Sequence, residues 1–455
     1  MSGIGPPGSP QAADALAGRI AADPGDLVAR HNLANELRRL DRLPEALASI
    51  DAAWSGGLRT PETATLRGQI LTDLGRFDEA LEAYRDAIGL RPDYVAAHSA
   101  LAQLLPQMGW AEQALDSFGP ALARSPGTGV LWVAAMEAAK SHRAHEQLLA
   151  WADAAEQRFG SDTMVTTFAA NALSALGRDD EAFTRLARAL ALEPDFAPAH
   201  ATMAHLLIRL GEPAQAAAAA GEATRLAPDD QSGWALLGVA LRLLEDEREH
   251  WLCDYERLVM PIDLALEPGL GAVLEKGHLA RAQPAEQSLR GGTQTGGNLF
   301  ESAEPMLLRL ARQIADRVGE TLARLPADPT HPFLARNTGG IDFAGAWSVR
   351  LAGAGFHIGH IHPAGWLSSA LYVSLPESVR AGTGEGALTF GVPDAALGLD
   401  LPPRRLVQPR EGQLVVFPSY FWHGTTPFES SSHRLTLAFD ALPAQHRLDN
   451  AAVQR

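Results

Sequence analysis

The sequence predicts a multidomain α+β chain: an all-α superhelix of stacked helix pairs, then a β-sandwich or barrel with flanking helices. Three observations carry this. Gly75, Gly109, Gly177 and Gly211 stand 34, 68 and 34 residues apart, and Pro92, Pro126, Pro194 and Pro228 keep the same separations. Two independent punctuation marks sharing one period are the mark of a repeat array. The Ala/Leu/Arg/Glu-rich texture of residues 24–247 stops after Glu247. From Ala346 onward, short apolar or alternating runs are separated by Gly, Pro and Asp clusters.

Each repeat reads as two amphipathic helices, with the glycine at the turn between them and the proline ending the second. Gly75-Arg76-Phe77-Asp78-Glu79-Ala80 opens one second helix, and Leu90-Arg91-Pro92-Asp93 closes it. Gly177 to Asp195 repeats the design. Asp41 and Arg143 fall where two further glycines would stand, in degenerate units. One unit cannot bury its apolar face, but stacked neighbours can, and the stack curves. His98 and His200, three periods apart, are expected to pack between helices. These segments resemble tetratricopeptide repeats, about six of them across residues 24–247. The resemblance implies a groove for a protein or peptide; an array that only spaces or dimerises the chain has the same sequence.

The other elements follow in order. Residues 1–23 read as a flexible tail, 248–300 as a connecting segment and entrance loop, 301–446 as the β-domain and 447–455 as a second tail. The stripe Leu307, Leu310, Ile314, Val318 and Leu322, with Pro305 in the first turn, predicts a helix over 302–322. Strands are expected at Trp347–Leu351, Leu367–Leu375, Leu414–Phe417 and Arg434–Asp440.

Composition bounds the function. The 455 residues are 46% hydrophobic and 20% charged, too apolar for a disordered chain. With 54 acidic against 38 basic residues, the net charge of −16 argues against a protein that wraps phosphates, so no nucleic-acid partner is expected. Cys253 is the single cysteine, which excludes an intramolecular disulfide framework and a Cys-based zinc cage. No run approaches the roughly 20 apolar residues of a membrane span, and residues 1–10 lack a secretory signal's basic start and apolar core. A cytoplasmic protein without a membrane partner is the expectation.

Of the 15 histidines, three fall in Phe356-His357-Ile358-Gly359-His360-Ile361-His362-Pro363. In extended chain, His360 and His362 point to one face, and their imidazoles could share a metal. His357 should face the other way unless Gly359 introduces a bulge. A later apolar strand delivers His423, and Arg434 follows eleven residues on. Alternation puts Arg434 and Thr436 on one face, and a buried arginine needs an anion. A guanidinium beside a hydroxyl suits a carboxylate.

These residues resemble the iron(II)- and 2-oxoglutarate-dependent dioxygenases. His360 to Pro376, Gln287 to Thr295 and Ala346 to Leu351 are similar to the bacterial members that follow tetratricopeptide repeats. The resemblance implies a double-stranded β-helix (jelly-roll, cupin-like), Fe(II), 2-oxoglutarate as co-substrate, O2, and hydroxylation as the outcome. By the same resemblance His360 and His423 match the histidine ligands. Arg434 and Thr436 match the co-substrate's carboxylate receptor, and Tyr372 matches a tyrosine that helps bind it or else packs the barrel.

The sequence departs from the family at the carboxylate of His-x-Asp/Glu, where His362 stands. Imidazole suits iron, and His362 is taken as the third ligand. A water with His362 behind it, or a carboxylate from elsewhere such as Asp394, are the alternatives. Arg290, on the polar loop from Gln287 to Thr295, and Arg350 are candidate substrate contacts, with structural pairing the other role for Arg350. Trp366 and Trp422 are expected to wall the pocket. Two other functions use the same residues: a repeat scaffold with a silent β-domain, and a three-His cupin enzyme that needs no 2-oxoglutarate.

Overall fold

The computed structural model describes residues 9–280, 288–296, 298–302 and 304–444. Residues 1–8, Gln287 and the whole of the expected tail 447–455 lie outside the described residues. Residues 10–22, read from sequence as tail, form the helix Pro10–Ala22. Ser9 caps it by accepting from the Ala12 N–H, Pro10 occupies the first turn, and the Ser9 N–H donates to Glu36.

First helices of the repeats begin at Leu27, Pro61, Val95, Gly129, Thr163, Ala197 and Gln231, each 34 residues after the last. The turn after each first helix needs one residue in the left-handed region. Asp41, Gly75, Gly109, Arg143, Gly177, Gly211 and Glu245 occupy it, with φ between 53° and 88°. Asp41, Arg143 and Glu245 therefore make the same turn as the glycines, against the steric preference of a Cβ.

The prolines have a second role besides ending helices. The imidazoles of His98 and His200 and the indoles of Trp132 and Trp234 reach back to the carbonyls of Pro92, Pro194, Pro126 and Pro228. Each ring nitrogen satisfies a carbonyl left over where the preceding helix ends. His98 and His200 are packing residues, as expected.

Among the described residues, nine strands form two antiparallel sheets. They are β1 (Met260–Asp263), β2 (Leu289–Gln294), β3 (Ile341–His357), β4 (Leu367–Ser374), β5 (Leu388–Phe390), β6 (Arg405–Val407), β7 (Gln413–Pro418), β8 (His423–Thr425) and β9 (Arg434–Pro443). One sheet has the order β1-β7-β4-β9-β3-β2 and the other β6-β5-β8. Phe390 packs edge-on to Phe417 between them. The amphipathic helix Pro305–Leu322 buries Leu307, Leu310, Ile314, Val318 and Leu322 in the same core.

Both edges of the larger sheet come from residues 248–300, so the expected boundary at 301 falls inside the β-domain. Neither edge gives a strong strand signal in the sequence. β1 is four residues long and contains Pro261, and β2 is broken by a bulge at Gly291, whose φ is +72°.

The last repeats are fastened to the β-domain. Arg404 pairs with the buried Glu249 at 2.9 Å. Arg242 donates to the carbonyls of Gly391 and Pro402, and the Gln231 N–H donates to Pro363. The first repeats touch it more lightly, through Ser302 on Asp41 and Leu279 against Gly75.

Candidate metal centre

β3 ends at His357, and the chain then turns through Gly359. A Cβ at Gly359 would meet the carbonyl oxygens of Val392 and Pro393 at 2.5 and 2.8 Å, so only glycine fits. This turn breaks strand parity, and the expectation for His357 is corrected accordingly. Its ring stacks beside His360 at 5.7 Å, and both contact the Ser288 hydroxyl.

His360 and His423 are direct cross-strand partners, each N–H donating to the other's carbonyl at 3.0 Å. Their rings lie 4.1 Å apart, and His362 stands 5.2 and 5.1 Å from them. One ligand atom from each of the three lies within 4.8 Å of the others. No other such group of His, Cys, Asp and Glu occurs among the described residues.

The tautomers follow from what each Nδ1 touches. His360 Nδ1 faces the Ile358 carbonyl at 2.9 Å, and His423 Nδ1 the Phe421 carbonyl at 2.8 Å. His362 Nδ1 faces Asp440 Oδ2 at 2.7 Å. All three acceptors place the proton on Nδ1, which leaves a lone pair on each Nε2; that of His360 faces the Ser288 hydroxyl at 3.2 Å, a contact that a bound cation would replace. Burial, then His362, lowers His360 to about 3. Burial, then His360 and His362, hold His423 well below the imidazole range. At His362 burial acts in the same sense, but the charge and hydrogen bond of Asp440 outweigh it and raise the imidazole.

Beside the histidines sits a cationic receptor. Arg434 is 2% exposed; Nη1 donates to the Gly386 carbonyl at 3.0 Å, and the guanidinium lies over the rings of Tyr372 and Phe428. Arg434 Nε and Tyr372 Oη are both buried without a hydrogen-bond partner. Burial lowers Arg434 and pushes Tyr372 up to about 12. Tyr372 and Thr436 are cross-strand partners on β4 and β9, and Thr436 donates to the Val349 carbonyl at 3.4 Å. Unsatisfied buried donors are rare, and a carboxylate would satisfy both the charge and the donors.

One cavity of about 1920 Å³ contains all of this. His360, His362, His423, Tyr372, Arg434 and Thr436 line one side. Gln69, Phe77, Tyr84 and Gln103 of the early repeats line another. Among the described residues, none from the repeats after Gln107 lines it.

Other expected residues lie elsewhere. Arg290 donates to the Leu289 carbonyl and does not line the cavity. Arg350 pairs with Glu275 at 3.1 Å, also off the cavity wall. Trp366 is 1% exposed and stacks on Phe333 within the core, so it is no wall of the pocket. Trp422 is turned to the repeats, donating to the Ala235 carbonyl. Both tryptophans follow their hydrophobic area and N–H donors into packing sites. Asp394 pairs with Arg143 and caps a short turn, away from the histidines.

Asp440 was missed. Alternation along β9 from Arg434 through Thr436 and Ala438 carries the same face to residue 440, and that was the signal available.

Residues 345–440 match the model of a family described as "Putative 2OG-Fe(II) oxygenase". Residues 68–109 and 172–239 match two models of the tetratricopeptide repeat. The chain thus carries segments that match tetratricopeptide repeats and, toward its C-terminus, a segment that matches the oxygenase family. A tetratricopeptide repeat protein from Parabacteroides merdae ATCC 43184 is similar at 17% identity over 50% of this chain and 91% of its own, TM-score 0.35. YrrB, a TPR protein with an unusual peptide-binding site, is similar at 18% identity over 49% of this chain and 96% of its own, TM-score 0.28. No curated protein matches the chain. No helix among the described residues is long and apolar enough to cross a membrane.

Proposed function

We propose that the chain is an Fe(II)- and 2-oxoglutarate-dependent dioxygenase, a hydroxylase acting on a protein or peptide segment admitted by the early repeats. The observation that carries this is the convergence, in one cavity, of three Nε2 lone pairs with the unpartnered donors of Arg434 and Tyr372. Bound there, Fe(II) and 2-oxoglutarate would, with O2 as oxidant, supply oxidative decarboxylation to succinate and CO2, one oxygen atom entering succinate and the other the substrate C–H bond as a hydroxyl.

His360, His362 and His423 would hold the metal through Nε2, each ring fixed by the acceptor on its Nδ1. Arg434 would bind the far carboxylate of 2-oxoglutarate, with Tyr372 and Thr436 supplying hydroxyls. Phe428 and Tyr372 sandwich the guanidinium and keep water from it, which strengthens its attraction for the carboxylate. Trp347, stacked on His362 with ring centres 5.8 Å apart, lines the same cavity.

The cavity exceeds the roughly 300–1,000 Å³ of small-molecule sites, which favours a macromolecular segment as substrate. The same cavity lining supports the early repeats, not the later ones, as the partner-binding part of the array. Arg434 and its unsatisfied neighbour distinguish this reading from a three-His enzyme that needs no 2-oxoglutarate.

The test is Fe(II)-dependent conversion of 2-oxoglutarate to succinate by the full chain, compared with His360→Ala and His423→Ala. Loss of turnover in both variants is expected. Absence of turnover in the unaltered protein, together with no binding of 2-oxoglutarate in the presence of Mn(II), would sink the proposal.

A further inference from the structure

We infer that Asp440 is a positioning residue for the metal centre: acting through His362, it supplies from outside the ligand set the negative charge that a carboxylate ligand would supply from within. The inference rests on the metal-binding reading above and adds a residue that neither the family pattern nor the ligand spacing points to.

Four features of the geometry support it. Asp440 Oδ2 accepts from His362 Nδ1 at 2.7 Å, which fixes the tautomer and aims Nε2 at the other two histidines. Asp440 is itself held: the Ser368 hydroxyl donates to Oδ1 at 2.7 Å and lies 2.8 Å from the Ser419 hydroxyl. Ser419 also accepts, through its carbonyl, the His362 N–H at 3.1 Å. The carboxylate and the imidazole it orients are thus tied to one residue. On the cavity side, Trp347 stacks on the His362 ring at an interplanar angle of 14° and limits its rotation.

The pair also accounts for the histidine at 362. A carboxylate at that position would stand against Asp440, and two anions at this separation repel strongly in a desolvated site. A histidine is compatible with Asp440 and an acid is not. The charge at the centre is therefore conserved by a two-residue exchange: imidazole inside, carboxylate behind it. A hydrogen-bonded carboxylate makes a ligating imidazole a stronger donor, and loss of such a partner costs roughly 10–100-fold in metal affinity.

The experiment measures Mn(II) affinity of the full chain by calorimetry, with Co(II) absorption as a second readout of the ligand field. Asp440→Asn should bind Mn(II) about 10–100-fold more weakly and shift the Co(II) bands, while circular dichroism and the unfolding midpoint stay near those of the unaltered protein. His362→Asp should bind poorly, and His362→Asp/Asp440→Asn should recover at least about tenfold over it, because the repulsion is removed. If Asp440→Asn fails to fold, Ser368→Ala replaces it; withdrawal of the Oδ1 partner should weaken Mn(II) binding a few-fold. Equal affinity in Asp440→Asn (or Ser368→Ala) and the unaltered protein overturns the inference, as does a double variant no better than His362→Asp. If the unaltered protein binds no Mn(II), the metal-centre reading falls and this inference with it. Normal binding insensitive to Asp440 sinks the inference alone.

Discussion

Replacing Arg434 with methionine should separate stability from co-substrate binding. The guanidinium is 2% exposed, donates to the Gly386 carbonyl, and has no carboxylate within ion-pair distance among the described residues. Its Nε is unsatisfied. An uncompensated buried charge costs several kcal/mol, and replacing such groups by apolar side chains of similar volume is often stabilising by about 1–4 kcal/mol. Against this stand the lost Gly386 bond, about 1 kcal/mol, and the contacts with Tyr372 and Phe428, about 1 kcal/mol. The net expectation for Arg434→Met without ligand lies between a loss of about 1 kcal/mol and a gain of about 2 kcal/mol. Co-substrate binding should move the other way. A buried charged hydrogen-bonding partner contributes about 2–5 kcal/mol, so 2-oxoglutarate affinity in the presence of Mn(II) should fall by at least about thirtyfold. A thermal-shift titration reads both effects, because a ligand that binds only the folded state raises the midpoint in proportion to RT ln(1 + [L]/Kd). The variant should start near or above the unaltered midpoint and fail to rise with 2-oxoglutarate. A variant that starts lower by more than about 2 kcal/mol, or that rises as the unaltered protein does, refutes the receptor argument.

Three further outcomes are expected. Glu245→Gly removes an exposed Cβ from a turn at φ +53° and should raise the urea midpoint by the equivalent of about 0.5–1 kcal/mol, the left-handed strain less the extra freedom of the unfolded chain; Gly75→Ala should lower it by about 1–2 kcal/mol. Arg404→Ala strands the 5%-exposed Glu249 and, discounted for an arginine more than one-third exposed, should cost about 1–2 kcal/mol at the junction of repeats and sheets, detectable by hydrogen exchange in residues 231–252 and 404–407. Burial lowers His205 and His278 to about 4, so the folded chain binds fewer protons than the unfolded one; their contribution is present above pH 6.5 and is lost as pH falls from there toward 4, by at most about 3 kcal/mol each. His278→Gln should flatten the fall in urea midpoint between pH 7 and 5, and an unchanged slope would contradict this.

The period of the repeats was legible because two residue types mark each unit, and it extends to residues that lack the glycine: Asp41, Arg143 and Glu245 adopt the same turn. The histidine pair and Arg434 were legible because their spacing follows strand alternation. What escaped obeys longer-range rules. β1 and β2 are edge strands whose pairing partners lie 55 or more residues away; β1 is too short for its alternation to mark it, and β2 does not alternate. Trp366 and Trp422 stand next to the histidines in sequence, yet each is drawn to packing partners, Phe333 and Ala235, that only the tertiary fold brings close. The helix at Pro10 carried its signal in Ser9-Pro10, which composition alone obscured. Asp440 was visible as a face, but its role depends on His362, which no spacing rule connects to it.

The central claim is that three imidazoles and one guanidinium form a single centre. An anaerobic crystal structure of the full chain with Fe(II) and 2-oxoglutarate tests it most directly. The account predicts Nε2 of His360, His362 and His423 on the metal, Asp440 on His362 Nδ1, and the far carboxylate of 2-oxoglutarate on Arg434. Asp440 or another carboxylate on the metal with His362 turned away, or 2-oxoglutarate bound without Arg434, would contradict it.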